Sequence, residues 1–247
     1  MTNIRWGIVG TGSIATAFAH SIKYSNNSSL EAVYGRNETK LKDFSDKFQV
    51  DAINDANNLF TADHIDAIYI ATPHSTHYEY CLSAIKNKKH TLCEKPLTVN
   101  HLESMVLLNL AKESNVFLME AFMYRTHPQT ANILDSLDVF QDSKEEIIIE
   151  SSFGFTAELS ESHRLRNPML GGGAILDVGC YPLSISKLIA GRIQGVPFSD
   201  PESIKASGRI DSTGVDLQST ATLVFSNRIT AEISCAIDEE YPNNLIV

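Results

Sequence analysis

The chain has few of the residues that cross-link small secreted domains or bind structural metals. It contains four cysteines among its 247 residues, Cys81, Cys93, Cys180 and Cys235. None of them forms a CxxC pair, and their spacing matches no zinc-binding pattern. Because scattered thiols are typical of proteins in reducing compartments, we expect free cysteines, no disulfide framework and no metal site.

Extended basic blocks and long apolar runs are also missing. The net charge is −10, which argues against general nucleic-acid binding because that function needs a basic face. The N-terminus lacks the basic region and apolar core of a signal peptide. No apolar run approaches the roughly 18 residues of a membrane span. We therefore expect a soluble, cytoplasmic protein without nucleic-acid or membrane partners, while a local basic pocket for a small anion stays open.

The first half of the chain repeats one pattern of elements. Hydrophobic residues make up 43% of the sequence, which allows a sizeable core. Short apolar runs alternate with helical patterns, as where DAIYIA is followed by STHYEYCLSAIKNK. A near-continuous apolar run is typical of a strand buried on both faces of a parallel sheet. The pattern predicts an α/β fold over residues 1–123, a doubly wound parallel sheet.

The pattern changes in the second half. After a predicted helix at 129–138 come the run EEIIIESSFGF, a loop rich in Arg, Pro and Gly, and an amphipathic helix near 174–190. Three β-rich runs with short turns then predict a mainly antiparallel sheet. Residues 124–247 therefore read as an α+β domain that binds substrate or a second subunit.

The end of the chain resembles the start of one more strand. The sequence closes on NNLIV, and an unpaired apolar strand edge favours aggregation. Two explanations stay open: another chain covers this edge, or the sequence is a fragment with its second domain truncated.

The stretch GIVGTGSIA predicts a dinucleotide site. Gly10 permits a tight turn, Gly12 lets the backbone approach a pyrophosphate, and Ala15 keeps the helix close to the strand. Ser13 and Ile14 open the helix, whose N-terminus offers N–H groups and partial positive charge to an anion. The glycine pattern alone also fits a plain turn, but its place in the first strand–turn–helix unit favours cofactor binding.

The end of the second strand distinguishes the two nicotinamide cofactors. An acidic residue there would bind the ribose hydroxyls of NAD, but the sequence reads VYGRNETK, with Arg36 at that place. A guanidinium can bind a 2′-phosphate through two hydrogen bonds, and Lys40 can add charge. We predict NADP as the preferred cofactor and NAD as the alternative. The competing interpretation is that Arg36 is an exposed turn residue.

Two later stretches follow predicted strands that end at the same sheet edge. In IATPHSTH, Thr72 and Pro73 are expected to line the cofactor pocket. His77 is interpreted as a structural residue at a helix start, with a catalytic role as the alternative. In CEKPL, Glu94 and Lys95 follow the next strand and are predicted to contact the cofactor.

The stretch LGGGAILDVGCYP predicts a second site. The glycines at 171–173 leave room for close approach of backbone or ligand. In the helix that follows, Asp177 and Tyr181 are four residues apart and share one face. Pro182 removes a helix hydrogen bond and should open the backbone locally.

Four stretches of the chain, in their residues and in their order, resemble the Gfo/Idh/MocA oxidoreductases. These stretches are GIVGTGSIA, CEKPL, LMEAFMYRTHPQ and LGGGAILDVGCYP. The resemblance covers essentially the whole chain. The resemblance is strongest to the branch with dimeric dihydrodiol dehydrogenase and NADP-dependent D-xylose dehydrogenase, because Tyr181 stands where inositol dehydrogenases have His. It implies a Rossmann domain followed by an open-faced sheet that packs against a second subunit as a homodimer. It also implies a cis peptide bond between Lys95 and Pro96.

By the same resemblance, Lys95, Asp177 and Tyr181 are catalytic. A tyrosine in water has a pKa of about 10 and is a poor base at neutral pH, but a nearby ammonium group lowers such a pKa. Lys95 would supply that charge, Asp177 would orient the substrate or Lys95, and Tyr181 would act as acid and base. The competing interpretation is a structural Lys95–Asp177 ion pair with Tyr181 in the core.

The expected function is therefore NADP-dependent interconversion of a hydroxyl and a carbonyl group by hydride transfer. The expected substrate is a small sugar (aldose), polyol or trans-dihydrodiol. Two alternatives stay open: a catalytically silent NADP-binding sensor or regulator, and a sugar transhydrogenase that retains its cofactor.

Several charged residues are ambiguous in the sequence. Glu120, Arg125 and His127 could border the substrate or form ion pairs at a domain interface. Arg164 and Arg166 are expected on a loop over the substrate.

Overall fold

The computed structural model describes residues 3–141, 144–157, 160, 163–226 and 228–247. The chain divides into two compact units, Met1–Ala121 and Phe122–Val247. Positions 158, 159, 161 and 162 of the predicted Arg-, Pro- and Gly-rich loop lie outside the described residues.

The first unit is a six-stranded parallel sheet with helices on both faces. Its strands are β1 (Ile4–Val9), β2 (Ser28–Tyr34), β3 (Asp51–Ile53), β4 (Ala67–Ile70), β5 (His90–Glu94) and β6 (Leu118–Ala121). Its helices are α1 (Ser13–Ile22), α2 (Glu38–Phe48), α3 (Ala56–Thr61), α4 (His77–Lys86) and α5 (His101–Ser114). The strands lie in the order β3-β2-β1-β4-β5-β6, and every pairing is parallel. This order confirms the predicted doubly wound sheet. The direction in which successive strands are added reverses between β1 and β4, and this reversal creates the crevice where such sheets bind ligands.

Strand β4 shows why the sheet is covered on both sides. All four of its residues are buried. Ile68 and Ile70 pack with residues of α4 and α5 such as Ile85 and Leu107. Tyr69 points the other way and packs with Ala15 of α1. Alternate side chains of one apolar strand thus fill two separate cores, as the continuous hydrophobic run predicts.

Two short elements of this unit were not predicted. Strand β3 has only three residues, and α3 has six. The side chain of Asp55 caps α3 by accepting a hydrogen bond from the N–H of Asn57 at 2.9 Å. Elements this short carry no readable hydrophobic period, so they cannot be predicted from the pattern.

The second unit is a five-stranded mixed sheet with a long helix on one face. Its elements are α6 (Pro128–Ser136), β7 (Ile147–Gly154), α7 (Cys180–Gln194), β8 (Ser203–Ile210), β9 (Asp216–Ser226), β10 (Ile229–Ala236) and β11 (Leu245–Ile246). The strand order is β11-β7-β10-β9-β8. The pairings are antiparallel except that of β7 with β10, which is parallel. The sheet is therefore mainly antiparallel, as predicted, and NNLIV contributes the short edge strand β11.

Helix α7 covers only one face of this sheet. Ile189 and Ile193 of α7 pack on Ile149 and Leu223 of the sheet. The opposite face is polar, and it forms a shallow depression of about 650 Å³. Its side chains include Glu150, Ser152, Lys205, Ser207, Thr220, Thr222, Glu232 and Ser234. The resemblance implied an open-faced sheet, and this polar face fits that description.

The segment before α7 is a π-helix, Ile175–Gly179, rather than the α-helix predicted from the pattern. The N–H of Cys180 donates to the carbonyl of Ile175, five residues earlier. Pro182 has no N–H to continue an α-helical ladder, so the wider turn occurs just before it.

The stretch Pro168–Gln194 is long and apolar enough to cross a membrane by length and average composition. Polar residues such as Asp177 and Ser184 interrupt this stretch, so it contains no continuous apolar run of that length. Half of its most apolar window is buried within the protein, and core helices of water-soluble proteins have the same composition. We therefore treat the stretch as a core helix.

Candidate functional site

The turn after β1 requires Gly10. Its φ is +121°, which side-chain-bearing residues rarely adopt, and a Cβ there would lie 2.3 Å from the carbonyl oxygen of Ala71. The Gly10 N–H donates to the carbonyl of Tyr34 at 2.8 Å. Gly10 therefore lies between the ends of β2 and β4, and the fold itself demands glycine.

Gly12 has a different role. Its φ is −80°, which any residue adopts, and no atom lies within 4 Å of the position that a Cβ would take. Neither conformation nor packing therefore requires glycine. Gly12 is the N-cap of α1, and the first backbone N–H groups of that helix, beginning at Ser13 and Ile14, have no partner within the helix. The open space beside them fits the pyrophosphate of a dinucleotide.

One cleft of about 320 Å³ brings together five predicted cofactor residues, Gly10, Gly12, Arg36, Thr72 and Pro73. Lys40 also lines it, and the described residues of its lining include no carboxylate. The cleft thus offers two cations near the end of β2, where NAD-specific sites have an acid. This arrangement fits the 2′-phosphate of NADP.

Two tyrosines of the cleft were not predicted. Tyr34 and Tyr80 both line it, and their ring centroids are 6.2 Å apart. Burial raises the pKa of Tyr80 to about 12. Tyr80 comes from α4, which is distant in sequence from the glycine motif, so no local pattern could have identified it.

The CEKPL stretch covers the last two residues of β5 and the loop after it, and it contains the cis peptide bond Lys95–Pro96 that the resemblance implied. Glu94 accepts a hydrogen bond from the hydroxyl of Tyr69, and burial raises the pKa of Glu94. Cofactor contact by Glu94 and Lys95 stays a prediction.

His77 lies at the start of α4, as predicted, and its side chain is fully buried. Its Nδ1 is 2.8 Å from the carbonyl oxygen of Pro96, and its Nε2 is 2.9 Å from that of Thr72. The ring therefore connects the loop after β4 with the loop after β5.

In the second unit, Asp177 lies within the π-helix and Tyr181 in the first turn of α7. Asp177 is 7% exposed, and its carboxylate accepts hydrogen bonds from Arg164 at 3.2 and 3.3 Å. Tyr181 packs among three aromatic rings, those of Phe122, Tyr124 and Phe153, at centroid distances of 5.4, 6.2 and 5.5 Å. The helix thus presents an acid and a phenol next to an apolar aromatic surface.

The two loop arginines have separate partners. Arg164 pairs with Asp177, whereas Arg166 forms a largely buried ion pair with Asp211 at 2.7 Å. Nε and Nη2 of Arg166 donate hydrogen bonds to the two carboxylate oxygens of Asp211. The location of the two arginines over the substrate stays a prediction.

Two glycines of the triplet are required by packing within the protein. A Cβ on Gly172 would lie 2.5 Å from the carbonyl oxygen of Leu165, and one on Gly173 would lie 2.2 Å from Oδ1 of Asp216. The other oxygen of Asp216 accepts the N–H of Ile175 at 2.8 Å. Asp216 therefore caps the helical segment that carries Asp177, and this contact across 41 residues gives no sequence signal.

The ambiguous residues near 120–127 also have defined places. Glu120 accepts the N–H of Leu97 at 2.7 Å. The Arg125 guanidinium lies over the ring of Phe198 at 4.4 Å, and His127 caps α6 by accepting the N–H of Gln129.

Within the described residues, no group of three or more His, Cys, Asp or Glu side chains could hold a metal ion. All four cysteines are free.

Two family profiles match the chain. One is described as "Oxidoreductase family, NAD-binding Rossmann fold" and matches residues 4–122. The other is described as "GFO/IDH/MocA C-terminal domain" and matches residues 146–247.

Named relatives match over nearly the whole chain. Trans-1,2-dihydrobenzene-1,2-diol dehydrogenase of Xenopus tropicalis is 32% identical over 98% of this chain and 72% of the relative. D-xylose 1-dehydrogenase (NADP(+)) 2 of Haloferax volcanii is 28% identical over 94% of this chain and 69% of the relative.

A solved 3-ketoreductase from Actinomadura kijaniata, in complex with NADP and TDP-benzene, superimposes with a TM-score of 0.86 and 27% identity. The match covers 99% of this chain and 73% of that chain. Solved variants of that ketoreductase replace one tyrosine by phenylalanine, or one lysine by alanine or glutamate.

The two glycines of the motif should respond differently to substitution. Gly10→Ala should unfold the first unit or lower its melting temperature strongly, because the new Cβ meets backbone. Gly12→Ala should leave thermal stability unchanged and weaken NADPH binding at least tenfold, because its Cβ would fill only the open space. Thermal melting and NADPH fluorescence titration measure the two effects. A destabilised Gly12→Ala variant, or one with unchanged affinity, would contradict this assignment.

Arg36→Ala should weaken NADPH binding about tenfold to a hundredfold, as expected for the loss of roughly 1.5–3 kcal/mol of charge-assisted hydrogen bonds. NADH binding should not change, and Lys47→Ala, at the other end of α2, serves as the charge control. Fluorescence titration with both reduced cofactors measures the effect. Equal affinity of the wild type for both cofactors, unaltered by Arg36→Ala, would show that Arg36 is only an exposed turn residue.

Proposed function

Because this chain belongs to the Gfo/Idh/MocA family of oxidoreductases, we propose that it interconverts a hydroxyl and a carbonyl group with NADP as its cofactor. The observation that carries this proposal is the cleft at the carboxyl ends of β1 and β4. This cleft combines the open space beside Gly12 with the positive charges of Arg36 and Lys40. NADP is also named for the xylose dehydrogenase and for the solved ketoreductase.

The proposed substrates are small polyols, aldoses and trans-dihydrodiols. The named relatives act on a dihydrodiol and on D-xylose. The surroundings of Tyr181 support such substrates, because rings such as Phe122 and Phe153 offer apolar area to carbon–hydrogen faces while Asp177 and Arg164 offer hydrogen bonds to hydroxyl groups.

The proposed mechanism assigns one role to each of three side chains. When bound, NADP supplies the hydride chemistry. Tyr181 takes the hydroxyl proton in the oxidation direction and returns it in reduction. Lys95 supplies a fixed positive charge that stabilises the phenolate form of the tyrosine. Asp177, paired with Arg164, orients the substrate hydroxyl groups. The ketoreductase variants replace the same two residue types, lysine and tyrosine.

Tyr181→Phe should lower kcat by about 10²- to 10⁴-fold, the usual contribution of general acid–base catalysis, with little effect on NADPH affinity. Tyr124→Phe is the matched control, because it removes a hydroxyl from the same aromatic cluster, where Tyr124 donates to Ser184 at 2.8 Å. The control should keep most of its kcat. Steady-state kinetics and circular dichroism check both variants, and a folded Tyr181→Phe enzyme with wild-type kcat would remove Tyr181 from the mechanism.

We also propose a homodimer formed by the polar face of the second sheet. One row of cross-strand neighbours on that face runs Lys205, Thr222, Glu232, Glu150. Glu232 and Glu150 are direct neighbours, and like charges at such positions repel. In a two-fold symmetric contact, Lys205 of each subunit can lie against the acidic end of its partner's row, which relieves this repulsion.

This arrangement predicts a charge-reversal rescue. Lys205→Glu should weaken dimerisation at least tenfold, because the row then meets its partner with like charges. Adding Glu150→Lys to the same chain should restore dimerisation, while Lys23→Glu in the first unit should have no effect. Sedimentation equilibrium measures the association constants, and a wild type that remains monomeric at high concentration would contradict the proposal.

A further inference from the structure

The peptide group between Pro96 and Leu97 is held at both of its polar atoms by buried or half-buried side chains. Its carbonyl oxygen lies 2.8 Å from Nδ1 of His77, and its N–H donates to Oε1 of Glu120 at 2.7 Å. His77 comes from the start of α4 and Glu120 from β6. Two elements on either side of β5 in the fold thus fix the orientation of one peptide plane.

The second nitrogen of His77 extends this support to the cofactor cleft. Nε2 lies 2.9 Å from the carbonyl oxygen of Thr72, which lines the cleft. The hydroxyl of Thr72 in turn accepts a hydrogen bond from Thr76 at 2.8 Å. The imidazole ring therefore lies between the cofactor cleft and the loop that carries Lys95.

The donors and acceptors around His77 do not match in number. Both partners are carbonyl oxygens, which only accept, whereas a neutral imidazole has one N–H. Burial lowers the pKa of His77, and the charge of Lys95 lowers it further, so the ring is neutral at neutral pH. One ring nitrogen therefore faces a carbonyl without a hydrogen. A side chain that only filled the core would avoid this cost, which points to a role for the ring in holding the peptide group after Pro96.

We propose that His77, together with Glu120, is a positioning residue that fixes the Pro96–Leu97 peptide plane and thereby the location of Lys95 relative to the cofactor cleft. This inference rests on the proposed function, since it assumes that Lys95 acts in the reaction. The effect can be large, because a displacement of about 1 Å in a catalytic group costs on the order of 10²-fold in rate.

Two substitutions separate the two contacts of the ring. The amide nitrogen of asparagine takes the place of Nδ1, so His77→Asn keeps the donor to Pro96 and loses the contact with Thr72. The amide nitrogen of glutamine takes the place of Nε2, so His77→Gln keeps Thr72 and loses Pro96. Glu120→Gln retains an oxygen that can accept the Leu97 N–H, whereas Glu120→Ala removes it.

Activity is the first readout. His77→Gln and Glu120→Ala should each lower kcat about tenfold to a hundredfold with the KM for NADP changed less than threefold. His77→Asn and Glu120→Gln should retain more than a third of the wild-type kcat. His90→Asn is the matched control, because His90 lies at the opposite end of β5 and accepts one backbone N–H, that of Phe117, at 2.9 Å. Its kcat should equal that of the wild type.

Amide hydrogen exchange of the protein without cofactor is the second readout, and it does not depend on activity. The Leu97 N–H should exchange at least tenfold faster in His77→Gln and Glu120→Ala than in the wild type, and at the wild-type rate in His77→Asn and Glu120→Gln. If one His77 variant fails to fold, Glu120→Ala and Glu120→Gln still compare loss with retention of a contact to the Pro96–Leu97 peptide.

The outcomes separate this inference from the function on which it rests. A wild type that turns over no substrate defeats the proposed function, while the exchange of Leu97 still tests the peptide contacts. Equal kcat for His77→Asn and His77→Gln, or loss of melting temperature without the predicted split in kcat, would show that His77 is merely structural and would overturn the proposal.

Discussion

The cofactor site depends on one close backbone approach, that of Gly10 to the ends of β2 and β4, the two strands that flank β1. The N–H of Gly10 bonds to the end of β2, and its Cα leaves no space for a side chain beside Ala71 at the end of β4. The strand order of the sheet reverses at this point. The turn therefore directs α1 so that its N-terminus opens on the crevice, and the cations near the end of β2 lie in the same cleft.

Gly10, Gly12, Gly172 and Gly173 are of two kinds, those that protein packing requires and one that it does not. Gly10, Gly172 and Gly173 are required by neighbouring protein atoms, and a side chain at any of them would meet backbone or a carboxylate. Gly12 is required by none, and the space beside it is open. The second kind is informative about function, because a glycine that neither conformation nor packing requires leaves space that a ligand can occupy. Gly172 and Gly173, near Asp177, belong to the first kind.

The sequence predicted what is encoded locally. The apolar run at β4 and the glycine motif depend on residues close together in the chain, and the structure confirms the doubly wound sheet they indicate. The sequence could not predict contacts between distant segments. Tyr80 in the cleft, the cap by Asp216, the separation of Arg164 from Arg166, and the two carbonyls around His77 all arise from the tertiary fold. The π-helix is intermediate, because Pro182 predicts a local opening but not its width.

The central claim is that this chain oxidises or reduces a carbon–oxygen group with NADP. The direct measurement is the initial rate of NADP reduction by the purified protein with a panel of aldoses, polyols and trans-dihydrodiols, repeated with NAD. The account predicts turnover of at least one panel member, with kcat/KM at least tenfold higher for NADP than for NAD. Tight binding of NADP with no turnover of any panel member would contradict it and identify a sensor instead. Turnover in which added NADP never exchanges with bound cofactor would identify a transhydrogenase.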